Sequence, residues 1–254
     1  MIFSKGKKAR LGDIALLAVT YLVLISLSVT TVFPLFWMVS SSFKTRQEMY
    51  SNKWLFPQRI QWSNYIAAWE GVDFLRYFGN SMLVSIVSVG GMTLIGAMAA
   101  YALTRYIFPG RDRLLFYFIG GQMIPSAMVL IPLFILLHRL GLRNSRLGIS
   151  LTYIAGGLPF VIFLLQGFFR SMSPEIEDAA RIDGCSEFGL FFRIVLPLAR
   201  AALSTVIIFQ FMWVWNEFIL ALVLLQRDDV KTLTVGLYSG LGQYVSNYPV
   251  LFAG

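Results

Sequence analysis

The sequence predicts an all-α membrane protein, a bundle of five or six transmembrane helices, and three observations support this fold class. Hydrophobic residues make up 57% of the 254 residues and charged residues only 13%, whereas a soluble domain carries about 25% charged residues. Long stretches have no ionisable residue, the first of them between Asp13 and Lys44. Each stretch exceeds the roughly 20 apolar residues that a helix needs to cross the hydrocarbon core.

The uncharged stretches place the spans along the chain. Five spans are predicted at about residues 14–39, 80–103, 114–137, 147–169 and 201–225. Glu217 is the one acidic or basic residue inside them. A soluble protein with buried helices is the alternative, but such helices rarely run uncharged for so long. The economical description is one membrane domain over residues 1–254, with a cytoplasmic loop at 170–200.

The net charge of +8 suits a membrane protein better than a nucleic-acid-binding one, because basic residues accumulate in cytoplasmic loops. Lys5, Lys7, Lys8 and Arg10 precede the first span and predict a cytoplasmic N-terminus. The presence of one cysteine and one histidine argues against a His/Cys metal site. We therefore expect no nucleic acid, no metal and no cofactor.

The segment 170–200 is too long for a minimal hairpin, and its signals predict a helix pair. Ser173 is a good N-cap, Pro174 fits the first helical position and Gly184 fits a C-terminal stop. A second helical piece is expected over 186–194. Docking of this helix pair in a groove of a partner is one use. An interfacial helix lying on lipid is the other, although the acidic start of the first helix disfavours anionic lipid.

This segment resembles the EAA loop of binding-protein-dependent ABC importer permeases. The resemblance rests on D-A-A-R-I-D-G-C at Asp178–Cys185 followed by L-P-L at Leu196–Leu198. Other stretches are similar to the carbohydrate branch, the maltose-transporter permease family: Asn80-Ser81, Ala99–Arg105, Phe108–Arg111, Met123–Pro125 and Trp215–Phe218. Asp178, Cys185 and Ala201 depart from the usual Glu, Ala and Pro of that family.

The resemblance implies a type I ABC importer permease in the bacterial inner membrane, serving a sugar or a sugar-like solute. It implies six spans, and the sequence ends where the sixth is expected to begin. It also implies a dimer of ATP-binding ABC subunits, a second permease subunit and an extracytoplasmic solute-binding protein as partners. No G-x-x-x-x-G-K-[ST] motif is present, so we expect a non-enzymatic subunit. The coupling residues expected are Glu177, Asp178, Ala179, Ala180, Asp183, Gly184 and Phe188.

A solute pathway is predicted less sharply. Pro125 and Pro159 predict breaks in the third and fourth spans. Such breaks either line a solute pathway or are simple packing kinks. The candidate pathway residues are Gln122, Gln210, Trp213, Asn216 and Glu217. Glu217 could instead hold two permeases together. A secondary transporter or a membrane enzyme is the alternative function, but each would need several clustered ionisable groups.

Overall fold

The computed structural model of the chain describes residues 11–51, 56–242 and 247–254. The described residues form helices joined by short loops and contain no strand, which confirms the all-α class. The helices are α1 (Leu11–Ser42), α2 (Arg46–Ser51), α3 (Ser63–Gly71), α4 (Phe74–Arg105), α5 (Arg111–Gly121), α6 (Ser126–Arg139), α7 (Arg146–Ser171), α8 (Pro174–Ile182), α9 (Glu187–Leu190), α10 (Leu196–Leu198), α11 (Arg200–Asn216), α12 (Ile219–Leu224), α13 (Leu233–Leu241) and α14 (Tyr248–Ala253). The basic residues at 5–10 that predict a cytoplasmic N-terminus lie outside the described residues.

Among the described residues, α1, α4 and α7 are each long and apolar enough to cross a membrane. The helical segment Glu187–Leu198 and α11 satisfy the same test together, with a bend of 77° between them. The third predicted span, 114–137, is two helices, because α5 ends at Gly121 and α6 begins at Ser126. The fifth, 201–225, is divided as well, since α11 ends at Asn216 and α12 follows.

Proline acts differently in the two helices for which breaks are expected. Pro125 has extended backbone angles (φ −59°, ψ 132°) directly before α6, so it separates α5 from α6 as a residue without an N–H can. Pro159, in contrast, lies inside α7, which runs unbroken from Arg146 to Ser171. The expected break in the fourth span is therefore wrong, because α7 keeps its helical path through the proline.

The chain divides into two compact units. The first contains the described residues before Asp73 together with those from Ser239 onward. In this unit α14 packs on α1, with the rings of Trp37 and Phe252 edge to face at 5.6 Å. The apolar side chains of α1 are exposed along nearly its whole length, as expected of a helix that is surrounded by lipid.

The second unit, Asp73–Tyr238, is built on the pair α4 and α7. Small residues let the two helices approach closely. A Cβ added at Gly96 would lie 2.5 Å from Val161, and one added at Gly157 would lie 2.5 Å from the sulfur of Met92. The helices α4 and α7 therefore form one tightly interlocked body, against which α11 packs.

Candidate coupling loop and membrane cavity

The segment 170–200 contains the helix that the sequence predicts. Ser173 is its N-cap and accepts a hydrogen bond from the N–H of Glu175 at 3.3 Å. The helix α8 ends where Gly184 adopts φ +80°, a conformation that glycine reaches without a Cβ penalty. The N–H of Cys185 then donates to the carbonyl of Ala180 at 3.0 Å, which satisfies a terminal carbonyl of α8.

A largely buried ion pair, with Arg105 14% and Glu177 2% exposed, fixes α8 to the end of α4. Oε1 of Glu177 lies 2.7 Å from Nε of Arg105. Tyr101 donates its hydroxyl hydrogen to Oε2 of Glu177 at 2.9 Å. Arg105 also donates from Nη2 to the carbonyl of Met172, between α7 and α8, at 3.0 Å. We call Tyr101, Arg105 and Glu177 the buried clamp.

A second, exposed ion-pair group holds α8 to the next helix. Arg181 forms ion pairs with Asp178 and Glu187, each at 2.9 Å, and its Nη2 also lies 3.8 Å from Oε2 of Glu177. Tyr106 donates its hydroxyl hydrogen to Glu187 at 2.7 Å. The hydrogen bond from Arg181, followed by that from Tyr106, lowers the pKa of Glu187 below its ordinary value, and the bond to Glu187 raises the pKa of Tyr106. We call Tyr106, Arg181 and Glu187 the exposed clamp.

The predicted coupling residues divide into two sets by burial. The set that reaches the surface comprises Asp178, Ala179, Asp183, Gly184 and Phe188. Glu177 and Ala180 are buried within the chain. Of the two predicted alanines, Ala179 is exposed, whereas Ala180 is directed at its own fold. Glu177 likewise contacts α4 rather than standing free for a partner.

This loop carries exposed apolar residues, of which only Phe188 is among the predicted coupling residues. Ile182 is 86% exposed and Phe188 is 72% exposed, and Ile176 is exposed as well. We call Ile176, Ile182 and Phe188 the exposed apolar residues of the loop. Their signal in the sequence is the pair of isoleucines in a short helix that is otherwise rich in charge.

A cavity of about 600 Å³ lies between the end of α5 and helices α6, α7, α11 and α12. Glycines and aliphatic side chains form much of its wall. The polar and aromatic lining residues are Gln122, Thr152, Gln210, Phe160, Phe209 and Trp213. None of the residues that line it in the described part of the chain is ionisable. The cavity therefore offers amide and hydroxyl groups beside aromatic rings, in uncharged surroundings.

The lining includes three of the five predicted pathway residues. Gln210 is buried, and its Nε2 donates to the carbonyl of Gly157 at 3.3 Å. Trp213 is 40% exposed and packs edge to face on Tyr153 at 5.6 Å. Gln122 is exposed, in the break between α5 and α6. Sequence reasoning missed Thr152, because a single hydroxyl within an apolar helix carries no distinctive pattern.

The other two predicted pathway residues have local structural partners instead. Glu217 accepts the Tyr153 hydroxyl hydrogen at 2.6 Å and the N–H groups of Leu220 and Ala221 at 2.8 and 3.0 Å. It thus caps the start of α12, where a carboxylate is favourable. Asn216 donates to the carbonyl of Met212. Neither residue is part of the cavity lining, so Asn216 and Glu217 remain predicted pathway residues that lie outside this cavity.

Three comparisons agree with this architecture. The family model described as "Binding-protein-dependent transport system inner membrane component" matches residues 92–253. The diacetylchitobiose uptake system permease protein NgcG of Streptomyces coelicolor is 36% identical over 98% of this chain and 83% of its own length. The arabinooligosaccharides transport system permease protein AraQ of Halalkalibacterium halodurans is 36% identical over 88% of this chain and 81% of its own length.

Solved structures share the fold. A bacterial ABC transporter involved in the import of the acidic polysaccharide alginate matches with a TM-score of 0.86 and 22% identity, over 98% of this chain and 92% of that one. The alginate transporter in complex with a periplasmic protein that holds an alginate pentasaccharide matches with a TM-score of 0.69 and 16% identity, over 95% and 87% of the two chains. The resemblance seen in the EAA-like loop is thus confirmed, and the chain belongs to the family of inner-membrane permease components, the non-catalytic subunits of binding-protein-dependent ABC importers.

Proposed function

We propose that this permease carries an uncharged oligosaccharide, and that its cavity forms part of the pathway. The support is the uncharged cavity lining, in which amide and hydroxyl groups stand beside aromatic rings. Such a lining suits sugars, whose hydroxyls need hydrogen-bonding partners and whose ring faces pack on aromatic groups. The names of the curated relatives point to the same class, since they include uptake systems for diacetylchitobiose, arabinooligosaccharides and an alpha-glucoside.

The cytoplasmic partner in this proposal is a dimer of ATP-binding subunits, which receives α8. The observation that carries this assignment is the large exposure of Ile182 and Phe188 on a loop rich in charge. Exposed apolar side chains on short helices suit insertion into a groove on a partner. Asp178 and Asp183 add exposed carboxylates to the same loop, for which a basic rim on the ATP-binding subunit is the complement.

The orientation in the membrane follows from charge. We propose that the N-terminus and residues 170–200 lie in the cytoplasm of a bacterium, because basic residues precede α1 and flank the ends of α4 and α5. The opposite side then faces an extracytoplasmic solute-binding protein. A second permease subunit completes the pathway in this arrangement, as the membrane domain of such an importer contains two permeases.

The partner assignment is tested by co-purification of the whole transporter in detergent. Ile182→Glu and Phe188→Glu place a charge in the proposed interface and should each reduce the recovered ATP-binding subunit strongly, while the permease itself remains folded. Ile60→Glu is the matched control, since Ile60 is 60% exposed and lies between α2 and α3, outside the proposed interface. Undiminished recovery with both loop variants would contradict the assignment.

The solute assignment is tested by binding of diacetylchitobiose to the purified assembly, followed through tryptophan fluorescence. We expect a saturable change that Trp213→Phe abolishes and that Trp62→Phe leaves in place. An acidic alginate oligosaccharide should produce no such change, because none of the described residues that line the cavity is basic and could compensate its carboxylates. Preferential binding of the acidic sugar would overturn the proposal of an uncharged substrate.

A further inference from the structure

The buried clamp joins α8 to α4, and we propose that it transmits the movement of the coupling loop into the membrane domain. This inference rests on the proposed docking of α8 on an ATP-binding subunit. In this proposal Glu177, Arg105 and Tyr101 are positioning residues that make α4, α7 and α8 move as one rigid body.

The chemistry of the buried clamp favours a role in fixing the orientation of α8 over a role in stability alone. Replacement of a buried ion pair by apolar residues of similar volume is often neutral or stabilising, so an ion pair is a poor choice for simply attaching one helix to another. Charged hydrogen bonds are short and directional. Glu177 receives Nε of Arg105 at 2.7 Å and the Tyr101 hydroxyl at 2.9 Å, which fixes both carboxylate oxygens and hence the rotation of α8.

Close contacts between α4 and α7 connect the buried clamp to the cavity wall. Arg105 bonds the carbonyl of Met172, which links the end of α7 to the same point. Farther along the two helices, Gly96 abuts Val161 and Gly157 abuts Met92, so that α4 and α7 pack too closely at both points to admit a Cβ. Gly157 itself belongs to the cavity lining. A rotation of α8 would thus reach the cavity through rigid, close-packed contacts.

The test is a double substitution, Glu177→Met with Arg105→Met, in the complete transporter reconstituted in liposomes with its ATP-binding subunits and binding protein. The probe is diacetylchitobiose, and both its uptake and ATP hydrolysis are measured. Two methionines fill the space of the ion pair without leaving a buried charge, so the variant should assemble. We expect uptake per ATP hydrolysed to fall about tenfold, a size typical of coupling between sites.

Matched variants separate the proposed role from a structural one. Asp73→Met with Arg76→Met removes the exposed ion pair at the other end of α4 and should leave uptake per ATP unchanged. Tyr101→Phe keeps the ion pair and should give a smaller loss in the same ratio. Because the ratio is measured on assembled complexes, a lower yield of protein does not affect it.

Two outcomes have distinct meanings. If the wild type couples and the double variant shows the same uptake per ATP, the clamp has no part in transmission and this inference is overturned, while the proposed function stands. If the wild type itself binds no ATP-binding subunit or takes up no diacetylchitobiose, the proposed function fails first.

Discussion

The coupling loop and the membrane cavity differ in the chemistry of the side chains that form them. In the loop, carboxylates and guanidinium groups form ion pairs at 2.7 to 2.9 Å around α8. The cavity lining in the described part of the chain has amide, hydroxyl and aromatic groups but no ionisable one. The difference matches the proposed tasks, because a loop that transmits movement has to be stiff, whereas a pathway must release what it binds.

The loop depends on one backbone conformation, and changing it should have the largest effect. Gly184 has φ +80°, and no atom lies within 4 Å of the point that a Cβ would occupy, so a substitution there is strained through the backbone alone. A left-handed conformation costs an ordinary residue about 1–2 kcal/mol. We expect Gly184→Val to abolish most uptake and Gly184→Asn, which tolerates this conformation, to retain it.

The control for this prediction is Gly141→Val. Gly141 also has a positive φ, +69°, and free space around it, but it lies between α6 and α7. Its substitution should lower stability by a similar amount without a comparable loss of uptake per assembled complex. Equal losses at both glycines would show that the loop is no more sensitive than any other turn.

Transport through the cavity should be sensitive to side chains that fill it rather than to backbone strain. A Cβ added at Gly156 meets only the Trp213 ring, at 3.5 Å, so Gly156→Ala should be tolerated while Gly156→Leu extends into the cavity. We expect Gly156→Leu to lower uptake about tenfold, which corresponds to a loss of about 1.4 kcal/mol in binding. Gly167→Leu, on α7 with open space around it, should leave transport unchanged. Full transport by Gly156→Leu would exclude the cavity as a pathway.

The two regions also differ in how far the sequence predicts them. The bounds of α8 follow from local signals, Ser173, Pro174 and Gly184, which act within a few residues of where they stand. The cavity depends on which helices converge, and neither periodicity nor composition contains that information. Glu217 shows the consequence: its isolation in an apolar span suggested a solute contact, yet its partners are Tyr153 and the start of α12.

The buried clamp shows a further limit of sequence reasoning. Tyr101 and Arg105 stand four residues apart at the end of a span, a spacing that places them on one helix face. The acidic residues of the loop were visible as well. Which carboxylate turns inward is decided by the packing of α8 against α4, and this selected Glu177 over its neighbour Asp178.

Removal of the buried Gln210 amide at the cavity should have a moderate effect on uptake. Gln210 donates to the Gly157 carbonyl, and Gln210→Leu removes this bond and a polar group from the lining. A neutral hydrogen bond from this amide to a solute hydroxyl contributes about 1 kcal/mol, so its loss should raise KM for uptake severalfold. Gln166→Leu is the control, since Gln166 is a buried glutamine on α7 whose Nε2 has no partner among the described residues. Identical KM values for both variants would remove Gln210 from the pathway.

The smallest effect is expected at the exposed clamp. Tyr106→Phe removes one hydrogen bond to Glu187, whose side chain is 50% exposed, and exposed ion pairs contribute less than about 1 kcal/mol. The pKa of Glu187 is lowered from 4.5 in the folded protein, so its contribution is present above pH 4.5 and is lost as the pH falls through the lowered value. At neutral pH the variant should therefore transport almost normally.

Thermal unfolding between neutral and acidic pH measures this contribution. The difference in Tm between Tyr106→Phe and the wild type should be small at neutral pH and should vanish on acidification, when Glu187 is protonated in both proteins. A loss of uptake per ATP in Tyr106→Phe as large as that of the buried-clamp variant would mean that burial does not distinguish the two clamps, and that transmission runs through the surface of the loop instead.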